Sequence, residues 1–171
     1  MPIFQPQYIF NRITDVTPQL IRHTGTQGII LDIDNTLTLH DHPIPADGVT
    51  EWLDNIKSLG IKMIILSNNS PERAEPFADS LGLPFIARAK KPGKKGFLSA
   101  CGALGIAPKN TMVIGDQIFT DIWGGNRIKS VTVLVKPFEL ESMLFFRFKR
   151  RLERPVIKRY HNNIKKTVDN C

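Results

Sequence analysis

The chain has 171 residues, of which 42% are hydrophobic and 23% are charged, and its formal net charge is +7. This length fits one domain with a sizeable core, and this composition excludes a chain that is disordered throughout. No stretch approaches the roughly 20 apolar residues of a membrane-spanning helix, and the first residues lack a signal-peptide layout, so a cytoplasmic protein is expected.

Residues 1–27 are predicted to form an N-terminal extension with a short helix, which Thr17 caps, Pro18 begins and Gly25 ends. Short apolar runs bounded by Gly, Pro, Asn or Asp then predict five buried parallel strands. These runs are 29–31, 63–66, 85–87, 112–114 and 131–135. Helices are predicted between them, at 45–59, 70–82, about 94–104 and after Asp121. Strands that alternate with helices predict an α/β fold, a three-layer doubly wound parallel sheet with right-handed crossovers.

Polar side chains follow the predicted strands at their carboxyl ends, where ligands bind in such sheets. Asp32 and Asp34 follow the first strand, Ser67 the second and Asp116 the fourth, and a short loop after the third strand carries Lys91. These groups are expected to converge on one crevice. A carboxylate there can attack phosphorus while a second carboxyl group transfers the proton.

Four motifs in this order resemble those of the haloacid dehalogenase superfamily of phosphatases. They are 32–36 (DIDNT), Ser67, Lys91 before Pro92, and Gly115-Asp116 followed by Asp121. The resemblance implies a Rossmann-like fold and a phosphoric monoester hydrolase that forms an aspartyl-phosphate.

Carried over residue by residue, the resemblance implies a role for each motif residue. Asp32 is expected to be the nucleophile and Asp34 the general acid and base, while Ser67, Asn68 and Lys91 bind the phosphoryl group. The Asp32 carboxylate, the Asp34 backbone carbonyl and Asp116 are expected to hold Mg²⁺, with Asp121 behind them orienting water or Lys91.

The gaps between the motifs have room for one helix each, so no cap domain is expected over the site. An open site admits a phosphate displayed on a lipid bilayer, a protein or a nucleic acid. Within the superfamily the chain more closely resembles the group that includes phosphatidylglycerophosphatases, through 32–37, 115–122, 124–127 and 152–155. This implies conversion of phosphatidylglycerophosphate to phosphatidylglycerol, a step of phospholipid biosynthesis.

The positive charge is concentrated in a predicted C-terminal segment, 142–171, that follows a phosphatase core at 28–141. This segment holds 9 Lys and Arg against 2 Asp and Glu, whereas the preceding residues hold 14 of each kind. Phe145, Phe148 and Leu152 share one face of a predicted amphipathic helix and five basic residues share another. The segment is expected to bind an anionic phospholipid surface on the inner face of the membrane, or else to pack on the sheet.

Other interpretations stay open at this point. The same site would serve a soluble sugar phosphate, a nucleotide or a phosphoprotein. A non-catalytic module would instead use the basic segment to bind nucleic acid. Nucleic acid is not the expected partner, because such a module has no need of the complete set of catalytic aspartates. Lys91 has basic neighbours typical of a solvated loop, and Asp121 has the position of a helix cap. The sequence around His40 and His42 favours a polar loop over a metal cluster, and no oligomeric state is predicted.

Overall fold

The computed structural model describes residues 3–138, 155–158 and 160. Of the basic segment predicted at 142–171, the helical residues 155–158 and Tyr160 belong to this part, and the remainder of that prediction lies outside the described residues. None of the helices in the described residues has the length and apolar composition of a membrane-spanning segment.

Six parallel strands form one sheet at the centre of the fold. They are β1 (Tyr8–Phe10), β2 (Gly28–Leu31), β3 (Lys62–Leu66), β4 (Phe85–Ile86), β5 (Thr111–Gly115) and β6 (Val131–Val135). Their order across the sheet is β1-β6-β5-β2-β3-β4. After β2 the chain builds outward to β4 and then crosses to β5 on the other side of β2. The carboxyl ends of β2 and β5 therefore border the crevice at which doubly wound folds bind ligands.

Five α-helices connect these strands. They are α1 (Pro18–His23), α2 (Val49–Ser58), α3 (Pro71–Ser80), α4 (Lys94–Leu104) and α5 (Trp123–Arg127), joined by 3₁₀ turns at Ile13–Asp15 and Pro108–Asn110 and a π-helix at Ile118–Ile122. The crossovers from β2 to β3 and from β3 to β4 contain one helix each, α2 and α3. The described residues therefore contain no cap domain.

The helices cover both faces of the sheet because successive strand residues point to opposite sides. Ile29 and Leu31 of β2 belong to a buried cluster with residues of α2 and α3. Ile30, between them, belongs to a second cluster with Phe97 and Leu104 of α4. The predicted α/β architecture is confirmed, with a sheet between two helical layers.

Two local features differ from the sequence-based expectation. The helix predicted at 45–59 begins at Val49, because the Ala46 N–H donates a hydrogen bond to the Leu37 carbonyl (2.9 Å) and Gly48 has a φ of 80°. Glycine adopts this left-handed conformation without a steric penalty. In addition, β1 lies inside the segment 1–27, where a helix alone was predicted, and pairs in parallel with β6. The division into three parts at 28 and 142 stays a prediction.

Candidate active site

The polar residues expected at the strand ends are found at the carboxyl edge of the sheet. Asp32 directly follows β2, and its N–H donates to the Ile114 carbonyl (3.0 Å), which extends the ladder between β2 and β5 by one residue. Asp116 directly follows β5 and Ser67 directly follows β3. The nucleophile predicted at Asp32 therefore lies at the end of β2, between the two segments that carry Asp116 and Ser67.

Lys91 connects two of the acids. Its Nζ lies 2.6 Å from Asp32 Oδ1 and 2.6 Å from Asp121 Oδ1. The side chain of Lys91 is 4% exposed and that of Asp121 is 1% exposed. A buried lysine that reaches two carboxylates is not part of a solvated basic loop, so the interpretation of Lys91 as a site residue is favoured.

Asn68 determines where the Lys91 backbone lies. The Lys91 N–H donates to Asn68 Oδ1 (2.7 Å), and Asn68 Nδ2 donates to the Lys91 carbonyl (3.2 Å). The Asn68 side-chain amide thus hydrogen-bonds to both the N–H and the carbonyl of Lys91, whose ammonium enters the site. Through this pair the end of β3 and the loop after β4 form one unit.

Asp121 is fixed by its own neighbours within the π-helix. Its Oδ2 accepts hydrogen bonds from the Gln117 N–H (3.2 Å) and from Thr120 Oγ1 (3.2 Å), while its Oδ1 faces Lys91. The following helix, α5, has Ile122 as its N-cap and no side-chain cap. The alternative in which Asp121 merely caps that helix is therefore not observed, and its contacts fit the predicted role of orienting Lys91.

Ser67 and Asp34 are held in different ways. Ser67 is 2% exposed, and its Oγ accepts from the Asn69 N–H (3.1 Å), which leaves the hydroxyl proton to be donated. Asp34 Oδ1 accepts from the Asp41 N–H (3.0 Å) and from an Arg73 Nη (3.1 Å), and Asp34 Oδ2 accepts from Asn69 Nδ2 (2.5 Å).

Burial and charge perturb the two groups at the centre. Burial raises the pKa of Asp32 to about 7, with Asp121 adding to the increase and the Lys91 ammonium opposing it. Burial by itself would lower the pKa of Lys91, but the charges of Asp121 and Asp32 outweigh it and raise that pKa. Without a further cation the site therefore disfavours the ionised form of Asp32.

Three carboxylates fit a divalent cation. Asp32, Asp116 and Asp121 each contribute one oxygen, and these oxygens lie within 4.8 Å of one another. The single ammonium of Lys91 does not balance three buried carboxylates, and hard oxygen donors are what Mg²⁺ takes. Within the described part of the chain no comparable cluster forms around His40 and His42. The ligand set predicted for Mg²⁺, which includes the Asp34 backbone carbonyl, stays a prediction.

Sequence reasoning did not identify Asn69 and Arg73, although both contact Asp34. One signal was available for Arg73: it lies in the first turn of α3, which starts just after Ser67, so it lies near the edge of the sheet that carries the site.

Comparison with known proteins identifies a family and several relatives to which this chain is similar. Residues 29–129 match the haloacid dehalogenase-like hydrolases. The chain is 38% identical over 154 residues to the probable phosphatase YqeG of Bacillus subtilis (strain 168), with 90% of each chain covered. It is 27% identical over 168 residues to phosphatidylglycerophosphate phosphatase 1, chloroplastic/mitochondrial, of Arabidopsis thaliana, with 88% of this chain but 46% of that protein covered. The fold resembles that of an uncharacterized protein from Listeria monocytogenes serotype 4b, with a TM-score of 0.57, 21% identity and coverage of 68% of this chain and 84% of that one.

Proposed function

Because the chain belongs to the haloacid dehalogenase-like hydrolases, we propose that it is a phosphatase that uses Asp32 as nucleophile and requires a divalent cation, most simply Mg²⁺. The observation that carries this proposal is the buried bridge from Lys91 to Asp32 and Asp121, beside Asp116 at the carboxyl edge of the sheet. A structural ion pair has no need of a third buried carboxylate at the same edge.

The chemistry is a double displacement at phosphorus. The Asp32 carboxylate attacks the phosphoryl group and forms an aspartyl-phosphate, while Asp34 gives its proton to the oxygen that leaves as an alcohol. Asp34 then accepts a proton from water as that water attacks the same phosphorus, which releases inorganic phosphate and restores Asp32. The Ser67 hydroxyl group donates a hydrogen bond to a phosphoryl oxygen, and the Lys91 ammonium offsets the negative charge of that group.

Asp32, Asp116 and Asp121 are the side chains whose oxygens are near enough to share the cation. When bound, the cation neutralises charge on the phosphoryl oxygens and favours the ionised form of Asp32. Asp121 acts mainly through Lys91, because its oxygens are already engaged by that ammonium, the Gln117 N–H and Thr120.

For the substrate we favour phosphatidylglycerophosphate presented on an anionic membrane surface. Three observations support it: the name of the Arabidopsis relative, crossovers that contain a single helix each, and a group of exposed cations around the buried Lys91. This group consists of Arg88, Lys90, Lys94 and Lys95. Exposed cations near an anionic bilayer contribute roughly 1 kcal/mol each, so this group would hold the open site against the lipid surface.

A phosphate-release assay tests the reaction and the substrate together. Purified protein is incubated with Mg²⁺ or with a chelator, on vesicles containing phosphatidylglycerophosphate and on a panel of soluble phosphomonoesters. We expect cation-dependent release from the vesicles at more than ten times the rate on the panel. Release from the panel alone would overturn the lipid assignment and leave the phosphatase chemistry intact.

Asp32→Asn is the variant that tests the nucleophile. An amide does not form the aspartyl-phosphate, so turnover should fall at least 10³-fold. Asp54→Asn is the matched control, because Asp54 is exposed on α2. Undiminished turnover in Asp32→Asn would overturn the mechanism.

A further inference from the structure

Arg73 lies outside the four motifs but contacts the proposed acid and base and the loop after it. One Nη donates to Asp34 Oδ1 (3.1 Å) and to the His42 carbonyl (2.8 Å), and its Nε lies 3.3 Å from Asp41 Oδ1. The guanidinium also lies over the Phe77 ring, 5.5 Å from its centroid. The side chain is 19% exposed. The Arg73 guanidinium thus connects α3 to Asp34, the proposed acid and base, and to the loop that follows Asp34.

The loop itself supplies the second hydrogen bond to Asp34. Asp41 has a φ of 57°, a left-handed conformation that is uncommon outside glycine, and its N–H donates to Asp34 Oδ1 (3.0 Å). The contacts of Arg73 with the Asp41 carboxylate and the His42 carbonyl hold this segment in place. Arg73 therefore acts on Asp34 twice, once directly and once through the Asp41 backbone.

The two carboxyl oxygens of Asp34 are left in different states. Each oxygen offers about two lone pairs, and those of Oδ1 are taken by Arg73 and the Asp41 N–H. From the part of the chain that the structure describes, Oδ2 accepts one hydrogen bond, from Asn69 Nδ2, which leaves its other lone pair. A proton on Asp34 therefore belongs on Oδ2.

We propose that Arg73 is a positioning residue that fixes the Asp34 carboxyl group so that Oδ2 is the oxygen that gives its proton to the leaving group and later takes one from water. This inference rests on the proposed function. Proton transfer by a placed side chain contributes typically 10²–10⁴-fold to rate, and that contribution depends on placement. Lysine is not expected to replace arginine here, because an ammonium is a point charge on a flexible stem, whereas the rigid guanidinium places one Nη against both Asp34 and the His42 carbonyl and its Nε beside Asp41.

The dependence on leaving group separates positioning from mere support of the fold. An alkyl phosphate needs a proton on its departing oxygen, whereas p-nitrophenyl phosphate leaves as a stable anion. For Arg73→Ala, kcat/KM on the alkyl phosphate should fall about 10²-fold and kcat/KM on p-nitrophenyl phosphate less than about 5-fold. Equal losses on both substrates would overturn the inference. Arg22→Ala, at an exposed position in α1, is the control for loss of a cation.

Two further variants complete the test. In an Asp34→Asn background, Arg73→Ala should cause no further fall in kcat/KM on the alkyl phosphate, because the carboxyl group that Arg73 positions is already absent. Additive falls in kcat/KM would contradict the inference. Arg73→Lys should recover less than about a tenth of the lost rate, and full recovery would show that charge alone suffices.

Asp41→Ala provides a test that does not depend on the Arg73 variants being folded, because the Asp41 side chain is 80% exposed. Removing this partner of Arg73 should loosen the loop and give an intermediate loss, again confined to the alkyl phosphate. An unchanged rate on the alkyl phosphate would contradict the loop part of the inference. Failure of the wild-type protein to release phosphate from either substrate would instead refute the proposed function.

Discussion

Lys91 shows how one side chain organises the candidate site. Its ammonium contacts carboxylates from two different segments, one after β2 and one in the π-helix, at 2.6 Å each. Neither acid is placed by this contact alone, because Asp32 continues the β2 ladder and Asp121 is bonded to Gln117 and Thr120. Each acid is therefore held by its own segment as well as by Lys91. This arrangement keeps the site rigid before a ligand binds.

Cation binding at this site should release a proton near neutral pH. In the cation-free protein the pKa of Asp32 is raised to about 7 by burial, so below that pH the carboxyl group holds a proton that the cation must displace. Affinity for Mg²⁺ should therefore fall by up to about tenfold per pH unit below 7 and level off above about pH 8. Isothermal titration calorimetry in two buffers of different ionisation enthalpy measures both the affinity and the protons released.

Asp32→Asn removes the group that titrates, so proton release at pH 6.5 should disappear in that variant even where weak binding persists. An affinity that is constant from pH 6 to pH 8 in the wild-type protein would contradict this prediction.

Three of the predicted site residues have a position along the chain that is set by a strand end, whereas Lys91 and Asp121 were predicted from the resemblance of their motifs. Asp32, Ser67 and Asp116 directly follow buried apolar runs, and those runs predict their own ends. Arg73 was not identified, because its contacts depend on the path of the loop that carries Asp41 and His42. That path depends on a left-handed residue at Asp41, for which the sequence carries no glycine as a signal.

At the level of elements, the end of β5 and the π-helix are packed unusually closely. A Cβ placed on Gly115 would lie 2.4 Å from Asp121 Cγ and 2.6 Å from its Oδ2. Asp121 cannot move away freely, since its carboxylate is held by Lys91, Gln117 and Thr120. The absence of a side chain at Gly115 therefore lets the π-helix deliver Asp121 to Lys91, and π-helical turns of this kind are frequent at functional sites.

Gly115→Ala should displace Asp121 and lower the rate of phosphate release by at least tenfold, with a loss of stability of about 1–3 kcal/mol from overpacking. Gly102→Ala is the matched control, because a Cβ at that position meets nothing within 4 Å. Alanine is also more favourable than glycine in a helix interior, by about 1 kcal/mol. Phosphate release and urea denaturation measure the two effects. Wild-type turnover in Gly115→Ala would contradict the packing argument.

Elements were predictable where local chemistry defines their ends. Thr17 caps α1, because its Oγ1 accepts a hydrogen bond from the Leu20 N–H (3.3 Å), and α4 ends as expected before Gly105, which is left-handed. The strand β1 was not predicted, because three residues give no clear periodicity and their pairing partner, β6, lies more than 120 residues away in the chain. Such an edge strand is specified by tertiary contacts rather than by its own sequence.

At the scale of the whole molecule, a small third core joins both ends of the described chain. Ile118, Ile122 and Leu134 form its buried centre, and Phe4, Ile9, Val156 and Ile157 pack against it. Tyr160 adds a hydrogen bond from its hydroxyl group to the Gln7 carbonyl (3.3 Å). This part of the predicted basic segment therefore packs on the domain. The membrane role predicted for the rest of the segment stays a prediction.

Ile157→Ala should lower the free energy of unfolding by about 1–2 kcal/mol, less than for a fully buried isoleucine because the side chain is only half-buried. Lys158→Ala, at the exposed neighbouring position, should change it by less than about 0.5 kcal/mol. Urea denaturation compares the two variants. Equal stabilities would show that the Ile157 side chain does not stabilise the domain.

The pairing of β1 with β6 also has a consequence for protein synthesis. A ribosome delivers β1 first, yet the partner of β1, residues 131–135, is the last strand of the sheet to emerge. Asp32 likewise forms its ion pair only after Lys91 has been synthesised, 59 residues later, and Lys91 forms its second ion pair only after Asp121, 30 residues beyond that. A nascent chain would therefore carry the proposed nucleophile long before it carries Lys91 and Asp121, and the proposed hydrolysis could begin only once the sheet is nearly complete.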